Sequence, residues 1–300
     1  MLSLRSKFCR LITKYVVAPK LNNLQSIEET RKSMEKFAKF AKLPPETKVE
    51  KIEINSIAAE WVYVNTVQED RVVLYLHGGG YNVCSINTHR ELGAHISKAS
   101  GAKVLLIDYR LAPEHPFPAA LEDATNAYHW LLDSGLTEKK IAIAGDSAGG
   151  GLSLATAISI RDVGNPFPSS IACISPWTDL LFTGDSTKTN SKIDPLVKAH
   201  SGMIMAKNYI GDDDPRNPLI SPLYAEMGGL PPMLIHVGTD EMLLDDSKRI
   251  AKKAEDAGVK VTLKIYDRLW HAFHLNVNGM PEAKNAVAEF GYFIRNHFEE

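Results

Sequence analysis

The chain has 300 residues, of which 34 are Lys or Arg and 36 Asp or Glu, for a formal charge of −2 at neutral pH. That balance offers a polyanion no purchase, so nucleic acid is not an expected partner. Gly 20 and Pro 16 are ordinary shares, which excludes collagen-like and low-complexity classes. A chain this long buries about three quarters of its unfolded surface and leaves roughly 12,500 Å² exposed, so it needs no staples.

The 3 cysteines, Cys9, Cys84 and Cys173, are far apart and odd in number. They form no C-x-x-C pair, which argues against a disulfide framework and a thiolate zinc site, and a reducing, cytoplasmic setting is expected. Residues 1–20 carry Arg5, Lys7, Arg10, Lys14 and Lys20, with no acid before Glu28. Arg10 and Lys14 interrupt the apolar stretch before it reaches the length of a signal core, so no signal peptide is expected. No membrane span is expected either, because the apolar stretch 147–160 falls short of the about 20 residues required. The basic segment reads as an amphipathic helix packed on its own protein, with weak contact to a membrane surface as the alternative.

Ser26-Ile27-Glu28-Glu29 fits a capping box, and Ile27, Met34, Phe37, Ala38 and Ala41 then keep helical spacing until Pro44-Pro45. At Val49 the period changes to two, so Val49–Ile54 and Trp61–Val64 read as half-buried, antiparallel strands. Dense apolar runs follow at Val72–Leu76, Val104–Ile107, Ile141–Ala144, Ile171–Ile174, Met233–Val237 and Val261–Ile265, each short enough for a strand buried on both faces. Helix-period segments lie between them at His89–Ala99, Ala119–Leu132, Ala148–Arg161 and Glu241–Ala257, with a last one at Glu282–Phe298. Strand alternating with helix predicts a mostly parallel sheet of the doubly wound α/β class. Only the stretch from Trp177 to Met233 breaks this rhythm, and its helical segment around Ala199–Ile210 predicts a lid. We therefore expect a helical cap built from residues 1–48 and 180–216, over a catalytic domain of residues 49–179 and 217–300.

Ligands in open α/β sheets bind beyond the carboxyl ends of the strands, so the residues just after each apolar run carry most weight. The third run ends in Gly145-Asp146-Ser147-Ala148-Gly149, a G-x-S-x-G pentapeptide at a strand-to-helix turn that would expose Ser147. Alone it could equally be a tight turn with a capping serine. The first run ends in His77-Gly78-Gly79-Gly80, whose glycines let backbone amides approach a reacting oxygen. No Lys-Ser/Thr follows either Gly-rich turn, which removes a phosphate-cradling loop. A seryl nucleophile needs a base and the base an orienting acid; Asp240 follows the fifth run and His271 the sixth. The order Ser147, Asp240, His271 is that of an α/β-hydrolase. No histidine spacing suits a metal, so neither metal nor organic cofactor is expected.

Taken together, His77–Gly80, the stretch Asp108–Ala120 (DYRLAPEHPFPAA), Gly145–Gly150, Ser175-Pro176-Trp177 and Ser221-Pro222-Leu223 closely resemble the hormone-sensitive lipase family of bacterial carboxylesterases. The resemblance runs from about Val49 to the chain end. It implies an α/β-hydrolase fold with a helical cap, and a serine carboxylesterase acting on short- to medium-chain esters through an acyl-enzyme. It makes Ser147 the nucleophile, Asp240 the acid, His271 the base, and the amides of Gly79, Gly80 and Ala148 the oxyanion hole. His77 and Asp146 match positions that brace those loops, and Glu114 lies in a segment that packs under the site. Phe37, Met203, Met205 and Tyr209 of the cap are expected to line the substrate pocket. A small-molecule ester is the expected partner, and a homodimer remains open. Two departures stand out: Asp240-Glu241-Met242 replaces the family's usual Asp-Pro-Leu, and His271-Ala272-Phe273 its His-Gly-Phe. Glu241, in place of that proline, is the nearest competitor to Asp240 as the acid. His274 is the competitor to His271, which is preferred for its His-x-Phe context.

Overall fold

The computed structural model describes residues 2–23 and 26–299. The chain opens with α1 (Leu4–Ile12), capped by the Ser3 hydroxyl, which accepts the Ser6 amide. A π-helical turn over Thr13–Val17 leads into α2 (Ala18–Leu21). In α3 (Ile27–Ala38) the Ser26 hydroxyl accepts the Glu29 amide at 3.2 Å, one of the two bonds of the expected capping box. The helix stops short of the two prolines, where the amides of Phe40 and Ala41 turn back onto Phe37 and Ala38.

Next come β1 (Thr47–Ile54), β2 (Ile57–Val64) and β3 (Gln68–Leu76), then α4 (Ile86–Ser100), β4 (Ala102–Ile107) and α5 (Ala119–Asp133). The chain continues through β5 (Ile141–Asp146), α6 (Ala148–Asp162) and β6 (Ser170–Ile174). The long insertion carries α7 (Ser186–Thr189) and α8 (Ala199–Ile210), before β7 (Met233–Gly238), α9 (Leu244–Asp256), β8 (Val261–Tyr266) and α10 (Pro281–His297). All strands join one 8-stranded sheet in the order β1-β2-β4-β3-β5-β6-β7-β8. β2 runs antiparallel to both neighbours, and the pairs from β4 through β8 are parallel.

The dense apolar runs become strands covered on both faces, with side chains parting alternately. Val72, Leu74, Leu105 and Ile143 pack toward α5 and α6, whereas Val73, Tyr75, Val104, Leu106 and Ala144 pack toward α4 and α10. The accessible surface of 12,677 Å² agrees with the size expected of one compact unit. Two local expectations fail. β8 is an edge strand with alternating exposure, because no further strand among the described residues covers it and its apolar run is only half buried. The segment expected to be helical from Glu241 begins its helix at Leu244, which leaves Glu241 in the loop after β7. That three-residue difference decides the chemistry of the site.

Candidate active site

Four strand ends converge at the carboxyl edge of the sheet. β5 passes into α6 through Ser147, whose φ of 54° and ψ of −122° lie outside the relaxed regions for an L-residue. The turn is held by the Ser147 amide on Ile174 O at 2.8 Å, and by the Trp177 amide on Ser147 O at 2.9 Å. It also demands bare backbone beside it: a Cβ on Gly149 would sit 2.0 Å from Leu76 O. The strained turn presents the Ser147 hydroxyl at 2.8 Å from His271 Nε2.

His271 stands in the loop after β8, and its other nitrogen, Nδ1, donates to Glu241 Oε2 at 3.2 Å. Glu241 is fully buried; its Oε1 accepts the Gly238 amide at 2.5 Å and the Ser175 hydroxyl at 2.8 Å. The expected acid, Asp240, is elsewhere. Its Oδ2 lies 2.8 Å from Arg10 Nη1 of α1, and its Oδ1 accepts the Thr239 hydroxyl at 3.2 Å. The physical reason is the loop. With α9 starting at Leu244, residue 241 turns inward beneath the imidazole, and residue 240 turns toward solvent and the N-terminal helix. Nor does either acid in the first turn of α9 reach the imidazole: Asp245 accepts the Ser186 amide at 2.8 Å, and Asp246 turns toward Thr178. Asp246 is fully buried, accepts the amides of Thr178 and Asp179, and burial pushes its carboxyl up to about 7.

Burial opposes a charged imidazole at His271, yet Glu241, Asp194 and Asp146 outweigh it and raise the His271 pKa above its ordinary value. Asp194, in the insertion between α7 and α8, was not anticipated. It is buried and accepts the amides of Met242, Leu196 and Val197, so it pins the acid loop to the insertion. Ser175 of the Ser-Pro-Trp motif was read only as part of a resemblance. In the structure its hydroxyl donates to Glu241 and accepts the Ala272 amide at 3.2 Å, bridging the acid to the histidine loop. His274 points away into a second buried cluster, 3.1 Å from His236 Nδ1.

Opposite the hydroxyl lies the glycine loop after β3. Gly79 has a φ of 118°, and a Cβ there would fall 2.1 Å from Val83 O, so only glycine fits. Among the described residues, the amides of Gly79, Gly80 and Ala148 have no intramolecular acceptor. Asp146 braces this loop: Oδ1 accepts Tyr75 OH at 2.9 Å and the Gly78 amide at 3.1 Å, and Nε2 of His89 lies 3.3 Å from the carboxylate. Burial disfavours the Asp146 charge, but His89 and the Tyr75 hydroxyl more than offset it and hold the pKa low. His77 stacks on Tyr109 at 4.3 Å and donates from Nδ1 to Gly78 O at 2.8 Å. Burial, with His89 beside it, drives the His77 pKa down to about 3, so the ring is neutral.

A cavity of about 100 Å³ lies over Ser147 and His271, walled by Leu21, Phe182, Leu196, Gly202, Met205 and Leu243. A second, of about 300 Å³, adjoins it through shared residues and runs beneath the π-helical turn, α2 and α3 along Val17, Leu21, Met34 and Phe37. Of the four expected pocket residues, Met205 faces the first cavity and Phe37 only the second. Met203 is 54% exposed on the outer side of α8. Tyr209 is buried against Tyr81, ring on ring at 3.6 Å, and belongs to the core. Glu114 does not pack under the site; it is an exposed carboxylate gripped by both terminal nitrogens of Arg31 on α3, each at 2.8 Å.

A hydroxyl bonded to an imidazole that is backed by a buried carboxylate, facing free amides, is equipped for attack on a carbonyl carbon. Comparison with known proteins agrees. Residues 73–275 match the model of a family described as alpha/beta hydrolase fold. An acetyl-hydrolase of Streptomyces hygroscopicus is 41% identical over 244 residues, covering 81% of each chain. The solved esterase/lipase from an uncultured bacterium is 44% identical, with a TM-score of 0.92 and 99% of each chain covered. An esterase from the bacterial hormone-sensitive lipase family is 40% identical, with a TM-score of 0.90, covering 94% of this chain and 97% of its own.

Proposed function

This chain belongs to the alpha/beta hydrolase family, among its bacterial hormone-sensitive lipase-type esterases, and we propose that it hydrolyses short-chain carboxylic esters with Ser147, His271 and Glu241 as its triad. It is a carboxylic ester hydrolase. The observation that carries the triad is the continuous path from Ser147 Oγ through both nitrogens of His271 to a fully buried carboxylate.

With the imidazole neutral, Nδ1 keeps its proton on Glu241 and Nε2 accepts the proton of the Ser147 hydroxyl as the oxygen attacks the ester carbonyl. The carbonyl oxygen becomes an oxyanion, received by the amides of Gly79, Gly80 and Ala148. His271 returns the proton to the leaving alcohol. Water then repeats the sequence on the acyl-Ser147 ester, releasing the acid and restoring the hydroxyl.

α2, α3 and residues 180–216 act as a cap, because Leu21, Met34, Phe37, Phe182, Leu196 and Met205 between them roof the two cavities. The chamber over Ser147, about 100 Å³, is smaller than a cavity of about 150 Å³ that binds benzene, which supports a small group there, with the adjoining cavity of about 300 Å³ left to hold the rest of the ester. The name of the Streptomyces relative, an acetyl-hydrolase, points the same way. The experiment is a series of p-nitrophenyl esters from acetate to palmitate, with a fluorophosphonate probe read by mass spectrometry. Labelling on Ser147 and a kcat/KM that peaks at acetate or butyrate are expected. Equal turnover of palmitate would break the chamber argument, and a labelled serine with no ester turnover would break the assignment.

A further inference from the structure

α1 is mounted with its polar side inward. The buried or half-buried residues are Ser6, Cys9, Arg10 and Thr13, and the exposed ones include Leu4, Phe8, Leu11, Ile12, Tyr15 and Val16. Leu4 is 83% exposed, Phe8 64% and Tyr15 65%. The orientation is fixed by specific bonds. Ser3 and Ser6 donate to the Glu282 carboxylate on α10 at 3.0 and 2.6 Å, and Arg10 holds Asp240 and the carbonyls of Ile193 and Arg268. A helix that turned its apolar stripe inward would lose all of these. The stripe is therefore presented outward, at i, i+4, i+7, i+8, i+11 and i+12.

Arg5, Lys7, Lys14 and Lys20 are exposed around this stripe, and no Asp or Glu occurs before residue 28. The face is strongly cationic on a protein whose formal charge is −2. A two-fold contact with a second copy would set these four cations against their own counterparts, with only Glu29 of α3, beside Tyr15, Val16 and Lys20, as an acid at the edge of the face among the described residues. A lipid bilayer with anionic headgroups satisfies both features at once: its acyl boundary takes the aromatic and aliphatic side chains, and its headgroups take the flanking lysines. The face also adjoins the active site, since Val17 and Leu21, directly after it, line the cavities. We propose that the outward face of residues 4–20 docks on an anionic lipid surface, lying in its plane, and holds the mouth of the cavity against it.

The test is sedimentation of the full-length protein with vesicles of phosphatidylcholine alone or with a third phosphatidylglycerol. Binding to the anionic vesicles, weakened by salt, and much weaker binding to the neutral ones are expected. Reversing charge with Lys7→Glu plus Lys14→Glu should lower the affinity more than about tenfold. Phe8→Ser plus Leu11→Ser should lower it comparably. Hydrolysis of a soluble p-nitrophenyl ester should be unchanged in both variants, since none of the four residues lines either cavity. Absence of binding, or equal binding to the two compositions, would overturn the proposal. So would a dimer in sedimentation velocity that Phe8→Ser plus Leu11→Ser dissolves. Vesicle binding is read without turnover, so its failure leaves the esterase reading untouched.

Discussion

At the carboxyl edge of the sheet, Glu241 is buried beneath His271 with the Gly238 amide and the Ser175 hydroxyl on its other oxygen. Across that edge the α1 helix is tied by partly exposed contacts, of which Arg10 makes the most, to Asp240, Ile193 and Arg268. Adjacent residues of one loop, Asp240 and Glu241, thus serve two regions. One faces a dry site where a carboxylate interacts strongly with its neighbours; the other faces a wet seam where an ion pair is worth about 1 kcal/mol or less. The difference teaches that neighbouring acids are told apart by which way the chain turns, and that damage to them should differ by orders of magnitude.

The largest expected effect separates the two histidines. His271→Ala removes the proposed base and should lower kcat by about 10⁴ or more in folded protein. His274→Ala, in the cluster with His236, should keep turnover within a few-fold while lowering the melting temperature, checked by calorimetry. A second test falls on the bridge between the acid and the histidine loop. Ser175→Ala deprives Glu241 of a donor and the Ala272 amide of its acceptor. It should lower kcat on the order of tenfold to a hundredfold with KM little changed, through misplacement of the imidazole.

The pH profile sharpens the same contrast. His271 works only when neutral, and the surrounding carboxylates raise its pKa. Activity should therefore rise with pH along an acidic limb of kcat/KM placed above the ordinary histidine value of about 6.5. In Glu241→Gln, burial should dominate and the residual activity should persist to lower pH. The smallest effect is expected in the seam: Arg10→Ala should leave kcat within a few-fold and cost about 1 kcal/mol, read as a few degrees in the melting temperature.

Most of the fold is legible in the sequence because buried strands and amphipathic helices announce themselves by period. Every apolar run from Val72 to Ile265 lies on a strand, and the mostly parallel sheet follows from their alternation with helices. Ser147 and His271 were legible as well, since Ser147 follows β5 directly and His271 stands in the short loop after β8. The acid was not, because a helix start is fixed by backbone geometry rather than by apolar spacing. Glu241 reads as a first helical residue, where an acid is favoured by the helix dipole, so its inward turn leaves little trace. The signal available was the replacement of the family's proline by a carboxylate. Met203 and Tyr209 failed for a related reason, since helical spacing places a residue near a site without saying which side faces it, whereas Glu114, expected from the resemblance alone, lies in an exposed turn paired with Arg31. Asp194 left no signal, because its partners are backbone amides, two of them close by at Leu196 and Val197 and the one that reaches the acid loop, Met242, 48 residues away.

The central claim, that the loop after β7 delivers Glu241 and not Asp240 to the imidazole, is tested most directly by measuring kcat for Glu241→Gln and Asp240→Asn side by side on p-nitrophenyl butyrate. Loss of a triad acid costs on the order of 10⁴ in kcat. Glu241→Gln should lose at least about a hundredfold with its fold intact by circular dichroism, and Asp240→Asn should stay within a few-fold of wild type. A large loss in Asp240→Asn beside a small one in Glu241→Gln would contradict the account and return the acid to residue 240.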